Sequence, residues 1–502
     1  MKSSNNKKIA INTIIMYGRM LVVMCISFYA SRLLLSTLGV VDFGLYSVVG
    51  SVTATFIAIK SLFTESTQRY LNVAKGKSDS TYKEQIIIFN ISLLIHLFLA
   101  LLFLGVIEFV GTWLLKTQLS IPPERVEATF FVFQITILAA VINIISIPYD
   151  AVVIANEKMG FFAFMSLFDS LARLLVIYLL PIIGYDYLKT YSLFLLITPI
   201  TTLSILITYC KRFPECSYKL IIDKSILRGM VSLSSWNFIG NISFSLIHEG
   251  INMLLNIYGG VVLNASRAIA YQIKNMTNQV SNNALIAVRP RIMQHSVQKD
   301  RELFFEDIFL LSRLSFFILA LVIFPLILFC PQLLKIWLGE FPQESIIFTR
   351  LLLIAIFVRT LHEPINMMNM SFSKIKRQIF VESIIMILCF MAIYFALNIG
   401  NNIAIPFIVL IIMEILVIAG LTINAKYELG FPLQKYINNV IIPMCILVVL
   451  SFVGGELILL NNCNNIPLLL LWGAIALIVE GGGVALLLNK REHKLLRTLL
   501  KR

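Results

Sequence analysis

From about residue 9 to residue 488 the chain alternates long apolar stretches with short polar breaks. A membrane-crossing helix needs about 20 predominantly apolar residues, and roughly fourteen such stretches can be read along the chain. They fall at 9–35, 43–68, 84–112, 127–155, 159–183, 188–211, 229–258, 263–288, 304–330, 345–370, 375–398, 403–426, 437–460 and 466–488. Each is too long for a barrel strand and lacks period-two alternation. The pattern predicts an all-α polytopic membrane protein of about 14 transmembrane helices. The first stretch runs past signal-peptide length, carries Arg19 and Arg32 and shows no small-x-small cleavage site, so it is expected to be a retained helix.

Composition agrees with the pattern. Of 502 residues, 58% are hydrophobic and 14% charged, and the mean hydropathy of +0.87 lies outside the range of ordinary soluble domains. The net charge of +14 could suggest nucleic acid as a partner, but the Lys and Arg residues stand between apolar segments and form no basic face interleaved with aromatics. Alternate loops carry roughly 27 basic residues on one side against about 4 on the other, which predicts that both termini are cytoplasmic. The seven cysteines include no C-x-x-C pair and lie mostly inside apolar segments, so neither a zinc site nor a disulfide framework is expected.

The second half echoes the first. "LLSTLGVVDFGL", from Leu34 to Leu45, lines up with "LLNIYGGVVLNA", from Leu254 to Ala265, which places Gly39 opposite Gly259 at a break. "PYDAVVIANEK", from Pro148, lines up with "PINMMNMSFSK", from Pro364. Two matches in the same order point to duplication: a six-helix lobe over 1–212, a second over 213–430, and an extra helix pair with a basic tail over 431–502. Six is even, so both lobes start from the same side and the repeat is parallel, with the expected substrate cleft between the lobes.

Charged side chains at bilayer depth cost about 2.5–3.5 kcal/mol or more, so they are expected to face a watery cavity or a partner. Arg267, Tyr271, Lys274 and Asn278 recur at spacings of four, three and four, which lays them along one helical face. Asn237, Asn241, His248 and Asn252 form a second stripe, and Asn12 lies on the same face as Arg19. Arg19, Lys60, Arg267, Lys274 and Arg359 are the candidate cations of a cavity, with Asn12, Asn237, Asn241, His248, Tyr271 and Asn278 as its polar lining. The amides serve equally well as hydrogen-bonding glue between helices, and Arg359 has Glu363 at i+4 as a competing partner. Asp169 and Arg173, also at i,i+4, read as a structural ion pair. An excess of cations points to an anionic substrate bearing phosphate or pyrophosphate. Glu108, Glu382, Glu414 and Glu480 are candidates for proton or sodium coupling.

Catalytic motifs are missing. "EGGGVALLLNK" lacks the Lys-Ser/Thr of a phosphate-binding loop, and "HEG" and "HEP" lack the second His of a zinc-protease helix. No enzyme activity, metal or cofactor is expected.

"NTIIMYGRMLVVMCISFYASRLLLSTLGVVDFGLYSVVGSV", "STQRYLN" and "PYDAVVIANEKMGFFAF" resemble the polysaccharide-transporter, or O-antigen flippase, branch of the multidrug/oligosaccharidyl-lipid/polysaccharide (MOP) flippase superfamily. The family pattern LG-x-x-D/E-x-G-x-Y maps onto Leu38, Gly39, Asp42, Gly44 and Tyr46, and TQR onto Thr67, Gln68 and Arg69. The resemblance implies a MATE-like fold in the bacterial inner membrane. It also implies transfer of an undecaprenyl-pyrophosphate-linked oligosaccharide from the cytoplasmic to the periplasmic leaflet by alternating access, for surface polysaccharide or lipopolysaccharide O-antigen synthesis. Membrane lipids and polysaccharide polymerase machinery are the further partners it implies. Gly39, Asp42, Gly44, Gly259, Pro148 and Pro364 are expected at bends or gates, with Asp42 capping the helix that follows. An ion-coupled multidrug antiporter of the same superfamily and a non-transporting scaffold are the alternative readings.

Overall fold

The structure is a computed structural model that describes residues 2–76, 82–219, 221–286, 301–371, 375–400, 402–459 and 481–484. Side chains are described for a narrower set, which leaves out 2–17, 53–65, 233–239, 280–286, 370–377, 450 and 452–459. Asn12, Lys60 and Asn237 therefore lie outside the described side chains, and of the expected fourteenth helix only 481–484 is described.

Every regular element described is helical. In chain order these are α1 (Lys2–Gly76), α2 (Lys83–Thr117), α3 (Val126–Ala155), α4 (Met159–Ile183), α5 (Tyr187–Cys210), α6 (Lys224–Gly259) and α7 (Val261–Ile286). They are followed by α8 (Arg301–Leu328), α9 (Cys330–Leu338), α10 (Glu344–Arg359), α11 (His362–Ser371), α12 (Ile375–Ile399), α13 (Ile405–Leu429), α14 (Leu433–Tyr436) and α15 (Ile442–Leu459). Among the described residues nine helices are long and apolar enough to cross a membrane, and the chain is a multi-pass membrane protein.

The expected breaks are placed by backbone chemistry. α1 holds the first two expected spans, divided at Gly39 with φ 76° and ψ 171°. Gly260, between α6 and α7, adopts φ 74° and ψ −174°, almost the same conformation. Only glycine tolerates this region without strain. The equivalent of Gly39 is thus Gly260 and not Gly259, which ends α6; the repeat shifts by one residue, pairing "GVVDFG" with "GVVLNA". Gly44 is no bend: a Cβ there would stand 2.1 Å from the Val261 carbonyl oxygen, so its bare backbone permits close approach of the α6–α7 turn. Pro148 lies within continuous α3. Pro364 is the third residue of α11, where a missing N–H is tolerated, and the break in the expected tenth helix precedes it at 360–361.

Two compact units divide the described contacts, Met1–Ala265 and Ser266–Arg502. In the first, α1 packs against α3, α4 and α6, while α3 also packs against α2 and α5. Phe89 and Leu71, both at 0% exposure, lie in its core with Ile88, Tyr149 and Val152. Between membrane helices such side chains stabilise the fold through close van der Waals packing and not through removal from water. In the second unit α13 packs against α10, α11 and α12. The unit boundary follows packing, whereas the lobe boundary expected at 212 follows the repeat; α6 packs with the first unit.

Candidate functional site

Arg19 lies on an α1 segment without an acid nearby in sequence, so its fate depends on a neighbouring helix. That neighbour is α4. The Arg19 Nη1 donates to Ser166 Oγ at 3.2 Å, and the guanidinium stands 5.3 Å from the centroid of the Phe162 ring. Its Nε is buried without a hydrogen-bond partner. The acid of this face, Asp169, is taken by Arg173 at 3.0 Å. Arg19 therefore keeps its charge without a carboxylate among the described residues, held between a hydroxyl and a ring. This is an arrangement able to receive an anion.

The stripe on α6 resolves differently. Asn252, with Asn256 and Asn264, which the stripe did not contain, forms a fully buried amide network. Asn252 Nδ2 donates to Ser51 Oγ at 2.5 Å and to the Ser47 carbonyl at 3.1 Å. Asn264 Nδ2 donates to the Asn252 carbonyl at 2.7 Å, and Asn256 Nδ2 to Asn264 Oδ1 at 2.8 Å. The Ser120 amide closes the network on Asn256 Oδ1 at 2.7 Å. These amides bind α6 to α1, so at Asn252 the glue reading holds. His248 is buried with its ring centroid 4.2 Å from that of Phe244, and Asn241 is half-buried.

Two ion clusters tie the helix ends of the first unit. At the Gly39 end, Arg125 opens α3 and bonds both Asp42 and Asp186: its Nε donates to Asp42 Oδ1 at 2.8 Å, and its Nη1 to Asp186 Oδ2 at 2.9 Å. Asp42 is thus an ion-pair partner and not a helix cap. Capping belongs to Asp186, whose Oδ1 accepts from the amides of Leu188 and Lys189 at the start of α5. Burial opposes ionisation of Asp186, but Arg125 and these two amides outweigh it and hold the carboxyl below its ordinary range. At the opposite end Lys75 Nζ reaches Glu215 at 2.9 Å and Asn156 Oδ1 at 2.6 Å, and Asn156 Nδ2 donates to Glu215 Oε1 at 2.7 Å. Burial of Glu215 again opposes its charge, while bonds from Asn156, the backbone and Lys75 hold its carboxyl low.

In the second unit, Arg267 and Lys274 flank the Tyr271 ring at 3.7 and 4.4 Å from its centroid, so the expected face exists. Asn278, further along α7, is half-buried. Arg359 is a correction to the cationic set: its Nη1 donates to Glu414 Oε1 on α13 at 2.8 Å, and the guanidinium is neutralised. Beside it, at the start of α11, His362 stands between Glu363 (Nδ1 to Oε1, 3.8 Å) and Glu382 on α12 (Nε2 to Oε1, 3.4 Å). Gln378 Nε2 donates to Glu382 Oε1 at 2.8 Å and to Asn366 Oδ1 at 2.6 Å. Glu382 and Glu414, read as isolated acids, both have partners. Among the described residues no group of three or more His, Cys, Asp or Glu could hold a metal ion.

The sequence pattern did not single out Arg125, Lys75, Asn156 and Glu215, each of which lies between two of the expected apolar stretches. Arg125 alone carried a signal, as one of the few cations on the sparsely basic side.

No family model and no curated protein matches the sequence. Solved structures do match. One described as "Lipid II flippase MurJ, inward closed conformation" aligns at a TM-score of 0.70 and 13% identity, over 97% of this chain and 100% of that one. An inward-facing multidrug resistance MATE family transporter of the MOP superfamily aligns at a TM-score of 0.62 and 13% identity, over 84% and 98%. A mutant of the Vibrio cholerae MATE transporter VcmN aligns at 0.59 and 15%, over 85% and 98%. The chain has the fold of the MOP-superfamily transporters, a MATE-like and MurJ-like helical architecture.

Proposed function

We propose that this protein is a flippase that moves an undecaprenyl-pyrophosphate-linked oligosaccharide from the cytoplasmic to the periplasmic leaflet of the bacterial inner membrane by alternating access, for surface polysaccharide or O-antigen synthesis. The observation that carries the reading is Arg19: a guanidinium at membrane depth with a buried, unpartnered Nε and no carboxylate among the described residues. Such a group is stabilised by a phosphate oxygen and repels a cationic drug. Arg267 and Lys274 on the Tyr271 ring extend the cationic lining proposed for the second unit. The extent of the likeness supports a lipid-linked cargo, since the lipid II flippase aligns over 97% of this chain and the MATE transporter over 84%. Polysaccharide polymerase machinery is the proposed downstream partner.

The test is genetic. A strain lacking the protein should accumulate lipid-linked repeat units on the cytoplasmic face, and Arg19→Ala should reproduce this. Normal glycan export in the deletion strain, with no second flippase present, would sink the function; normal export with Arg19→Ala alone would sink the site.

A second reading, an ion-coupled antiporter, draws on His362 between Glu363 and Glu382. Proton- or sodium-driven efflux of cationic dyes from proteoliposomes, abolished by Glu382→Gln, would favour it over the first.

A further inference from the structure

Two sets of residues divide the surface of α4. Phe164, Leu171, Leu175 and Ile182, at 56, 52, 59 and 79% exposure, are spaced seven, four and seven apart and form one apolar face. Phe162, Ser166, Asp169 and Arg173, spaced four, three and four, centre roughly 180° away around the helix at 3.6 residues per turn. The first face is suited to hydrocarbon. The second carries the contacts of Arg19 and the Asp169–Arg173 ion pair, whose side chains keep 37% and 46% exposure.

That exposure needs an explanation, because the pair is at the eleventh and fifteenth positions of a 25-residue apolar helix. Charges facing hydrocarbon at that depth would cost several kcal/mol. Because they lie opposite the lipid-suited face, their exposure suits contact with water and polar groups and not with hydrocarbon. Two aromatic side chains lie beside them. Tyr46 on α1 and Tyr191 on α5 are within electrostatic reach of Arg173, and their rings meet edge to face at 5.2 Å. Tyr191 is buried, while Tyr46 keeps part of its surface open.

The chemistry of this cluster differs from that of Arg19. Asp169 and Arg173 neutralise each other, so they offer no net attraction for a second anion. They still present carboxylate acceptors and guanidinium donors able to bond neutral hydroxyls. Tyr46 adds a ring face that can cover a sugar's C–H surface and a hydroxyl for its rim. Ser166, which holds Arg19, is one turn from Asp169 and two from Arg173, about 4.5 and 10.5 Å along the axis at 1.5 Å per residue. A headgroup with its anion at Arg19 would lay its first sugars along this face.

We propose that Asp169, Arg173 and Tyr46 form a carbohydrate subsite in the first unit, separate from the anion site at Arg19. The proposal rests on the lipid-linked-glycan reading above. It gives the ion pair on α4 a binding role beyond joining two turns of one helix.

The test uses the full chain in lipid nanodiscs and two probes: a short-chain isoprenyl pyrophosphate and the same molecule carrying a disaccharide. The readout is the ratio of their dissociation constants. Wild type should prefer the glycosylated probe by tenfold or more. Asp169→Asn and Tyr46→Ala should each bring the ratio close to one, whereas Arg19→Gln should weaken both probes and leave the ratio. A ratio unchanged in Asp169→Asn and Tyr46→Ala overturns the subsite. A wild-type ratio of one also overturns it and leaves the anion-binding reading intact, while failure of wild type to bind either probe overturns both. Should Asp169→Asn not fold, Tyr46→Ala carries the test, because Tyr46 stands outside the ion pair.

Discussion

Arg19 in the first unit and Arg359 in the second began as the same feature, an arginine inside an apolar helix. Arg359 meets Glu414 at 2.8 Å; Arg19 meets a serine hydroxyl at 3.2 Å and a phenyl ring. An intramembrane cation is thus structural or ligand-ready according to what the facing helix supplies. At α13 it is a carboxylate. At α4 the carboxylate is already committed to Arg173.

The contrast can be broken from either side. The largest effect is expected from Arg359→Gln, which leaves Glu414, at 5% exposure, without its cation. Leaving a buried carboxylate without its half-buried cation costs up to about 3–5 kcal/mol, so the variant should unfold well below wild type in a detergent melt. Arg359→Gln/Glu414→Gln should recover most of the loss; no recovery would mean that the arginine acts otherwise than through Glu414.

Arg19→Gln should behave in the opposite way, keeping the melting temperature within a few degrees while weakening a pyrophosphate probe by tenfold or more, about 1.4 kcal/mol. A large loss of stability with unchanged binding would turn Arg19 into a second Arg359.

A smaller effect is expected at the Gly39 end. Arg125→Gln leaves Asp42 and Asp186 facing each other, but these groups are partly open to solvent, so a loss of about 1–2 kcal/mol is expected. Asp42→Asn should cost less, because Asp186 retains the guanidinium. Equal losses would show that Asp42 bears the whole contact.

The smallest effect is a pH dependence from Glu215. Its carboxyl is held below the ordinary value in the folded chain, so its stabilisation is fully present above the unfolded value of about 4.3 and is lost as pH falls through the lower folded value. Melting temperatures measured downward from pH 6 should fall more steeply for wild type than for Glu215→Gln. Parallel curves would remove Glu215 from the acid response.

Helix bounds were legible because apolar length depends on membrane thickness. The stretch expected at 159–183 is Met159–Ile183, and that at 127–155 begins one residue earlier, at Val126. The face on α7 was also legible, since side chains four and three apart in one helix must adjoin. Arg125 with Asp42 and Asp186, or Lys75 with Glu215, was not: each joins helix ends 61 to 140 residues apart, and nothing local marks them.

By itself, the sequence determined an all-helical membrane chain with a repeated glycine break and cations at membrane depth, because hydrocarbon imposes length, hydrogen-bond closure and charge cost on each segment separately. Tertiary structure decided which cations are neutralised, that Gly260 and not Gly259 mirrors Gly39, and that Asp169 and Arg173 lie opposite the lipid-suited face of α4. Those outcomes depend on which helix lies against which, and side chains from distant parts of the chain meet only once the helices have packed.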